Sequence, residues 1–250
     1  MLKSRVTLWD LVIRTTKRPV WHAIHAVTGH RLAMPVHYLD TSLVGAVFRV
    51  PSPAISDLVP RDQFDPDVDD DGLARLYVIA MEHRECDILR PYRELAVTVL
   101  GHLCRKQDEQ VHFYLHLPVT TEDARWPGVE NYGFPKYRAE IAFSLAGARS
   151  ACALSLDGSS ILELSVGKAS VSEQAWVFTN LTIRGRTPVL SRLLCEGQRA
   201  HADTAGGASI RLGPHPIGRE LAALGIEERS VSHFYCPQLR AVLSKPMPLA

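Results

Sequence analysis

The chain has 250 residues, 46% hydrophobic and 22% charged, an ordinary globular composition with enough length to bury a full core. Its 28 Lys plus Arg nearly balance 27 Asp plus Glu, leaving a net charge of +1 and no run of basic residues. That balance argues against nucleic acid or an anionic membrane as partner, and favours a neutral or small ionic ligand.

The N-terminus is interrupted by Lys3, Arg5 and Asp10 before any long apolar stretch, and no later stretch reaches the ~18 consecutive apolar residues of a membrane span. A soluble, cytoplasmic protein is expected. Residues 1–36 carry apolar positions at Leu8, Leu11, Val12, Trp21, Ile24 and Val27, at spacings that predict short helices, broken by Pro19 and Pro35. They are read as an extension that packs on the main body or serves assembly.

From His37 the pattern changes to short strands. Residues 43–50 predict a strand ended by Pro51, residues 54–59 a short helix, and residues 61–72 an acidic turn. Further strands are predicted at 73–81, 94–104, 110–117, 137–145, 150–156, 160–166 and 176–184. Residues 186–200 read as a strand or short helix, 220–224 as a short helix, and 231–235 as a final strand. Short strands separated by Gly, Pro and Asp, with no linker, predict one mainly β domain over residues 1–250 with some helix. The expected architecture is an antiparallel sheet closing into a barrel.

Metal and thiol chemistry find little support. Cys86, Cys104, Cys152, Cys195 and Cys236 are widely spaced, with no CxxC pair. Asp67-Val-Asp69-Asp-Asp71-Gly72 opens like a calcium loop, but Val78 stands where the twelfth-position glutamate belongs. His22, His25, His30 and His37 lack zinc-motif spacing. His83, Glu85 and Cys86 follow a predicted strand end and could touch a pocket rim.

One segment suits covalent chemistry: Glu130-Asn-Tyr-Gly-Phe-Pro-Lys136-Tyr-Arg-Ala-Glu-Ile. A lysine is nucleophilic only when neutral, which at a reference pKa of about 10.4 costs roughly 4–5 kcal/mol at pH 7. Burial can remove that cost. Tyr132, Phe134, Pro135 and Tyr137 surround Lys136 in sequence, a setting suited to desolvation. Pro135 fixes its own φ and Gly133 allows close backbone approach. By itself the same pattern more often describes a surface lysine lying along apolar neighbours.

The segment resembles the acetoacetate decarboxylase family, in which a glutamate precedes an aromatic-Pro-Lys element whose lysine forms a Schiff base. The stretches at 37–48, 74–81 and 91–97, then Gly213-Pro-His-Pro-Ile217 and 237–242, are similar to the family in the same order, so the resemblance covers about residues 37–245. It implies a β-barrel homo-oligomer in which Lys136 attacks a small carbonyl or β-keto acid, without organic cofactor or metal. It implies Glu94 as the pocket carboxylate, and Glu130, Tyr132, Phe134, Tyr137 and Tyr77 as residues binding or supporting the substrate. The chain departs from the family in three places. Tyr137 stands for a second lysine, Asp40 and Thr41 for an arginine, and Tyr77 for a glutamate. The expected reaction is therefore a Schiff-base lyase reaction, decarboxylation first. Aldolase, dehydratase or cyclase chemistry in the same pocket, or a barrel that only binds its ligand, are the alternatives.

Overall fold

The computed structural model describes residues 34–249, so the helices expected before residue 34 lie outside the described part. In chain order the elements are β1 (Val36–Pro51), α1 (Ser52–Ser56), β2 (Phe64–Pro66), β3 (Leu73–Cys86), β4 (Tyr92–Leu103) and β5 (Lys106–His116). Then follow α2 (Glu122–Tyr132), β6 (Glu140–Ser144), β7 (Arg149–Leu156), β8 (Ser159–Gly167), β9 (Ser172–Arg184) and β10 (Thr187–Ala202). The chain ends with β11 (Ala208–Leu212), α3 (Pro216–Ala223), β12 (Ser232–Leu243) and β13 (Met247–Pro248).

Seven strands run in the order β12-β1-β3-β4-β5-β9-β10, and β10 pairs again with β12, which closes a barrel. The expected antiparallel pairing holds everywhere in that ring except between β5 and β9, which run parallel through His112↔Asn180 and Phe113↔Leu181. The exception has a covalent cause. A parallel neighbour requires a long crossover, and here the chain leaves β5, builds α2 and β6 to β8, and only then returns as β9. Strands β6, β7 and β8, with β11, form a separate four-stranded sheet rather than further barrel staves.

That second sheet explains why the early strands read as nearly unbroken apolar runs. In β1, Val44, Ala46, Phe48 and Val50 point out of the barrel into a core shared with Leu154, Leu162 and Leu164 of the outer sheet. Leu43 and Val47 point the other way, into the barrel interior with Ile79, Met81 and Phe234. Strands buried on both faces need apolar residues at both parities. Each fully buried side chain such as Phe48 or Leu76 adds about 1.5–3 kcal/mol. Inside the barrel, Gly45 lets the Phe234 ring lie against the β1 backbone, since a Cβ there would stand 2.3 Å from the ring.

The helices are short and serve to cover. Ile55 of α1 and Leu221 of α3 enter the outer core, whereas Ala124 and Tyr132 of α2 enter the interior cluster. Among the described residues no helix is long and apolar enough to cross a membrane. The acidic turn before β3 is held by its own chain: Asp69 Oδ1 accepts from the backbone N–H groups of Asp71 and Leu73.

Candidate active site

Strand alternation aims the first two groups. On β4, Leu95, Val97 and Val99 face the outer core, so Tyr92, Glu94 and Ala96 face the interior. On β3, Ile79 and Met81 face inward, and the same period carries His83 inward opposite Tyr92. The arginines flanking Glu94 pair elsewhere: Arg93 Nε donates to Glu82 at 2.8 Å and Arg90 Nε to Asp123 at 2.7 Å. Strand β1 is irregular between Tyr38 and Thr41. A bulge resets the side-chain phase, and two residues of opposite parity, Tyr38 and Thr41, both reach His83.

The lysine arrives from the crossover. Helix α2 ends at Gly133, whose φ of +68° lies in the left-handed region. The Gly133 N–H bonds the Val129 carbonyl and the Phe134 N–H reaches back to Gly128, a closing motif that satisfies the last helical carbonyls. The chain then extends beside residues 117–119: Leu117 donates to the Pro135 carbonyl and Val119 to the Tyr137 carbonyl. On its other side this segment accepts from β4, with Leu95 N–H bonded to the Pro118 carbonyl. Three backbone tracks thus fix the lysine loop against Glu94. The Lys136 side chain crosses Gly128, where an added Cβ would stand 2.6 Å from Lys136 Cδ.

Lys136 Nζ donates to Glu94 Oε2 at 3.0 Å, with the two side chains only 6% and 9% exposed. The other carboxylate oxygen, Oε1, lies 3.3 Å from His83 Nε2, and His83 Nδ1 lies 2.9 Å from Thr41 Oγ1. The imidazole packs against the rings of Tyr38 and Tyr92, at centroid distances of 4.3 and 4.6 Å, and the Tyr92 hydroxyl donates to that of Tyr38 at 3.3 Å. Lys136 Nζ stands 5.6 Å from the ring centres of both Tyr92 and Phe134. Leaving either member of such a pair buried alone costs roughly 3–5 kcal/mol.

The charges follow from this packing. Burial by itself would raise the Glu94 pKa. The adjacent Lys136 ammonium and the His83 hydrogen bond outweigh it and hold the carboxyl below its ordinary range. Burial, then the Glu94 charge, push the Tyr38 and Tyr92 hydroxyls up, so they stay protonated at neutral pH. Cys86 is pushed up to about 12, mainly by burial, and is no nucleophile at neutral pH. Among the described residues no cluster of three His, Cys, Asp or Glu side chains is placed to hold a metal ion.

Of the residues expected from sequence, the fold gathers Lys136, Glu94, Phe134 and Tyr132 at one end of the interior. Tyr132 is buried and stacks on Phe134 at 5.6 Å. Tyr137, expected to line the pocket, instead packs with the outer core, its ring edge against His116. Neighbours in an extended segment point to opposite sides, so Lys136 inward means Tyr137 outward. Glu130 is exposed on α2. Tyr77 faces inward, but six residues before His83 on β3, about 20 Å along the strand, where its ring meets His112 at 4.8 Å. Asp40 is engaged by the Arg84 guanidinium, with Nε at 2.8 Å. The residues missed in sequence are Tyr38 and Tyr92, while His83 was expected only at a pocket rim and Thr41 only as a replacement for the family arginine. For His83 a signal existed: the inward period of Ile79 and Met81, continued one step.

A closed seven-stranded barrel, whose crossover loop sends a lysine inward to a strand carboxylate, defines the class of protein. The chain belongs to the acetoacetate decarboxylase family: the family model described as Acetoacetate decarboxylase (ADC) matches residues 25–242. Curated proteins include no match. Among solved structures, one acetoacetate decarboxylase is similar at 15% identity and TM-score 0.65, covering 88% of this chain and 91% of that one. The acetoacetate decarboxylase of Legionella pneumophila is similar at 15% identity and TM-score 0.63, covering 100% and 98%. The enduracididine biosynthesis enzyme MppR, complexed with the condensation product of pyruvate and imidazole 4-carboxaldehyde, is similar at 16% identity and TM-score 0.61, covering 88% and 90%. At these identities the likeness is one of fold.

Proposed function

We propose that the protein is a carbon–carbon lyase that binds a small β-keto acid as an imine of Lys136 and releases carbon dioxide. The observation that carries this reading is the Lys136–Glu94 pair, 3.0 Å apart and nearly closed to solvent. A buried lysine held by one carboxylate has a specific acceptor for the proton it must lose before it attacks a carbonyl. Attack on the ketone and loss of water give a protonated imine. The bond to the carboxylate carbon then breaks, its electron pair flows into the imine, and carbon dioxide departs. The resulting enamine carbon takes a proton that enters from solvent and is delivered through Glu94, and water then hydrolyses the imine to release the ketone and the Lys136 ammonium. The imine is its own electron sink, so these steps require no organic cofactor or metal. Family membership supports the reading.

A second reading, aldol addition or dehydration through the same lysine, is favoured by two observations. The first barrel strand presents Asp40, tied to Arg84, and Thr41, tied to His83, so no arginine of that strand meets a substrate carboxylate there. The MppR likeness points the same way, since its structure holds a condensation product.

One assay tests both readings. Acetoacetate, and then pyruvate with an aldehyde, are offered to the wild type and to Lys136→Ala. Carbon dioxide release from acetoacetate, lost in the variant, supports the lyase. Lysine-dependent turnover of the second pair alone supports the aldol reading. Turnover or ligand binding that survives in Lys136→Ala contradicts both and leaves a barrel that binds without covalent chemistry. Assembly as a homo-oligomer belongs to the same proposal.

A further inference from the structure

Imine formation by Lys136 leaves a question of where its proton goes. In the resting site Glu94 is a weak base, because the ammonium beside it stabilises the carboxylate. Behind Glu94 stands His83, 3% exposed, with an oxygen at each ring nitrogen: Glu94 Oε1 at 3.3 Å from Nε2 and Thr41 Oγ1 at 2.9 Å from Nδ1. Any buried imidazole needs partners for its ring nitrogens, and here one of them is the carboxylate that holds Lys136. The rings of Tyr38 and Tyr92 both pack against the imidazole, at 4.3 and 4.6 Å between centroids, and restrict its orientation while both contacts are made.

We propose that His83 is a positioning residue that holds, through Glu94, the proton Lys136 loses before it attacks the substrate, and returns it as water departs. The proposal rests on the Lys136 imine reading above. The ammonium proton passes to Glu94 and on to Nε2 of His83. This leaves a neutral amine, a carboxylate and an imidazolium whose two N–H groups point at Glu94 and Thr41. The amine adds to the carbonyl carbon, and the proton returns through Glu94 to the carbinolamine hydroxyl, which leaves as water. Ammonium plus ketone thus gives protonated imine plus water, with no proton gained or lost overall.

The surroundings suit this use. The titratable groups that face the ring are Tyr38 from β1, Tyr92 and Glu94 from β4, and Lys136 from the crossover loop, with Cys86 near the end of β3. The two hydroxyls and the thiol stay protonated at neutral pH. Proton exchange is then confined to Lys136, Glu94 and His83. Imidazole is the side chain suited to hold a proton reversibly near neutrality.

The test measures the rate of borohydride-trapped imine formation with acetoacetate from about pH 5 to 9 in wild type, His83→Gln and Thr41→Val. His83→Gln keeps an amide hydrogen bond to Glu94 but carries no proton. It is expected to slow trapping by about 10²-fold, to flatten the pH profile near neutrality, and to reach the same final mass at Lys136. Thr41→Val, which removes the acceptor at Nδ1, is expected to move the same limb of the profile by a smaller amount. A His83→Gln variant with the wild-type rate, or slowed uniformly with an unchanged profile, overturns the proposal. If His83→Gln does not fold, an unchanged profile in Thr41→Val overturns it. No trapping in the wild type overturns instead the imine reading beneath it.

Discussion

Lys136 and Glu94 meet 3.0 Å apart although 42 positions separate them in the chain. The meeting is a property of the backbone. Val119 is bridged on one side to Glu94 and on the other to Arg138, so one short extended segment holds strand and lysine loop in register. The ammonium therefore meets its carboxylate without either side chain searching for the other.

Substituting the carboxylate separates binding from turnover. Glu94→Gln keeps the shape and removes the proton acceptor. It should lower kcat by about 10²-fold or more while the same mass still accumulates at Lys136 under prolonged borohydride trapping. Near-normal turnover would remove Glu94 from the mechanism.

Gly128 tests how closely the lysine must be placed. An alanine Cβ there would stand 2.6 Å from Lys136 Cδ and 2.8 Å from Cε, so the flexible side chain must move. Displacements of about 1 Å can cost 10²-fold in rate. Gly128→Ala should fall in kcat by roughly 10-fold or more with its melting temperature little changed. Wild-type kcat would mean that Lys136 reacts from another position.

Gly133 carries a structural demand instead. Its φ is +68°, and a Cβ would stand 2.6 Å from the backbone carbonyl of Ile183, which cannot step aside as a side chain can. Strained left-handed backbone costs roughly 1–3 kcal/mol before the clash is counted. Gly133→Ala should lower the urea midpoint by at least that equivalent. An unchanged midpoint would contradict the packing of the helix end on β9.

Acid should unlock the pair. The folded-state pKa of Glu94 lies below its ordinary value of 4.5, so over that window the unfolded chain binds more protons. The stabilisation is fully present above about pH 4.5 and is lost as the pH falls through the lower folded value. Urea midpoints of wild type and Glu94→Gln should therefore converge as the pH falls from about 4.5 to about 2. A constant gap would mean that the carboxylate contributes nothing through its charge.

Much of this was legible in the sequence. Strands β1 and β3 to β9 follow from apolar runs and turn residues, whereas β2 lies in a stretch read as turn and β10 in one read as strand or short helix. The Phe134-Pro135-Lys136 element and Glu94 were singled out, and the fold brings Lys136 and Glu94 together. What escaped depends on relations that a linear pattern does not carry. His83 was placed only at a pocket rim because β3 was read as ending at Met81, whereas it continues to Cys86. Tyr38 and Thr41 owe their shared partner to an irregularity in β1. Helix α2 was not foreseen because it contains Pro127 and Gly128 and shows no amphipathic period. Tyr137 was placed in the pocket by proximity in sequence, but the extended chain after Pro135 sends consecutive side chains to different cores.

The account stands on Lys136 as the nucleophile, and the most direct measurement is peptide mass after borohydride reduction with acetoacetate or pyruvate. The account predicts one adduct, on the peptide that contains Lys136, absent when the reductant is omitted and absent in Lys136→Ala. Folded wild-type protein whose Lys136 peptide stays unmodified with every carbonyl compound offered, or an adduct that persists elsewhere in Lys136→Ala, would contradict it.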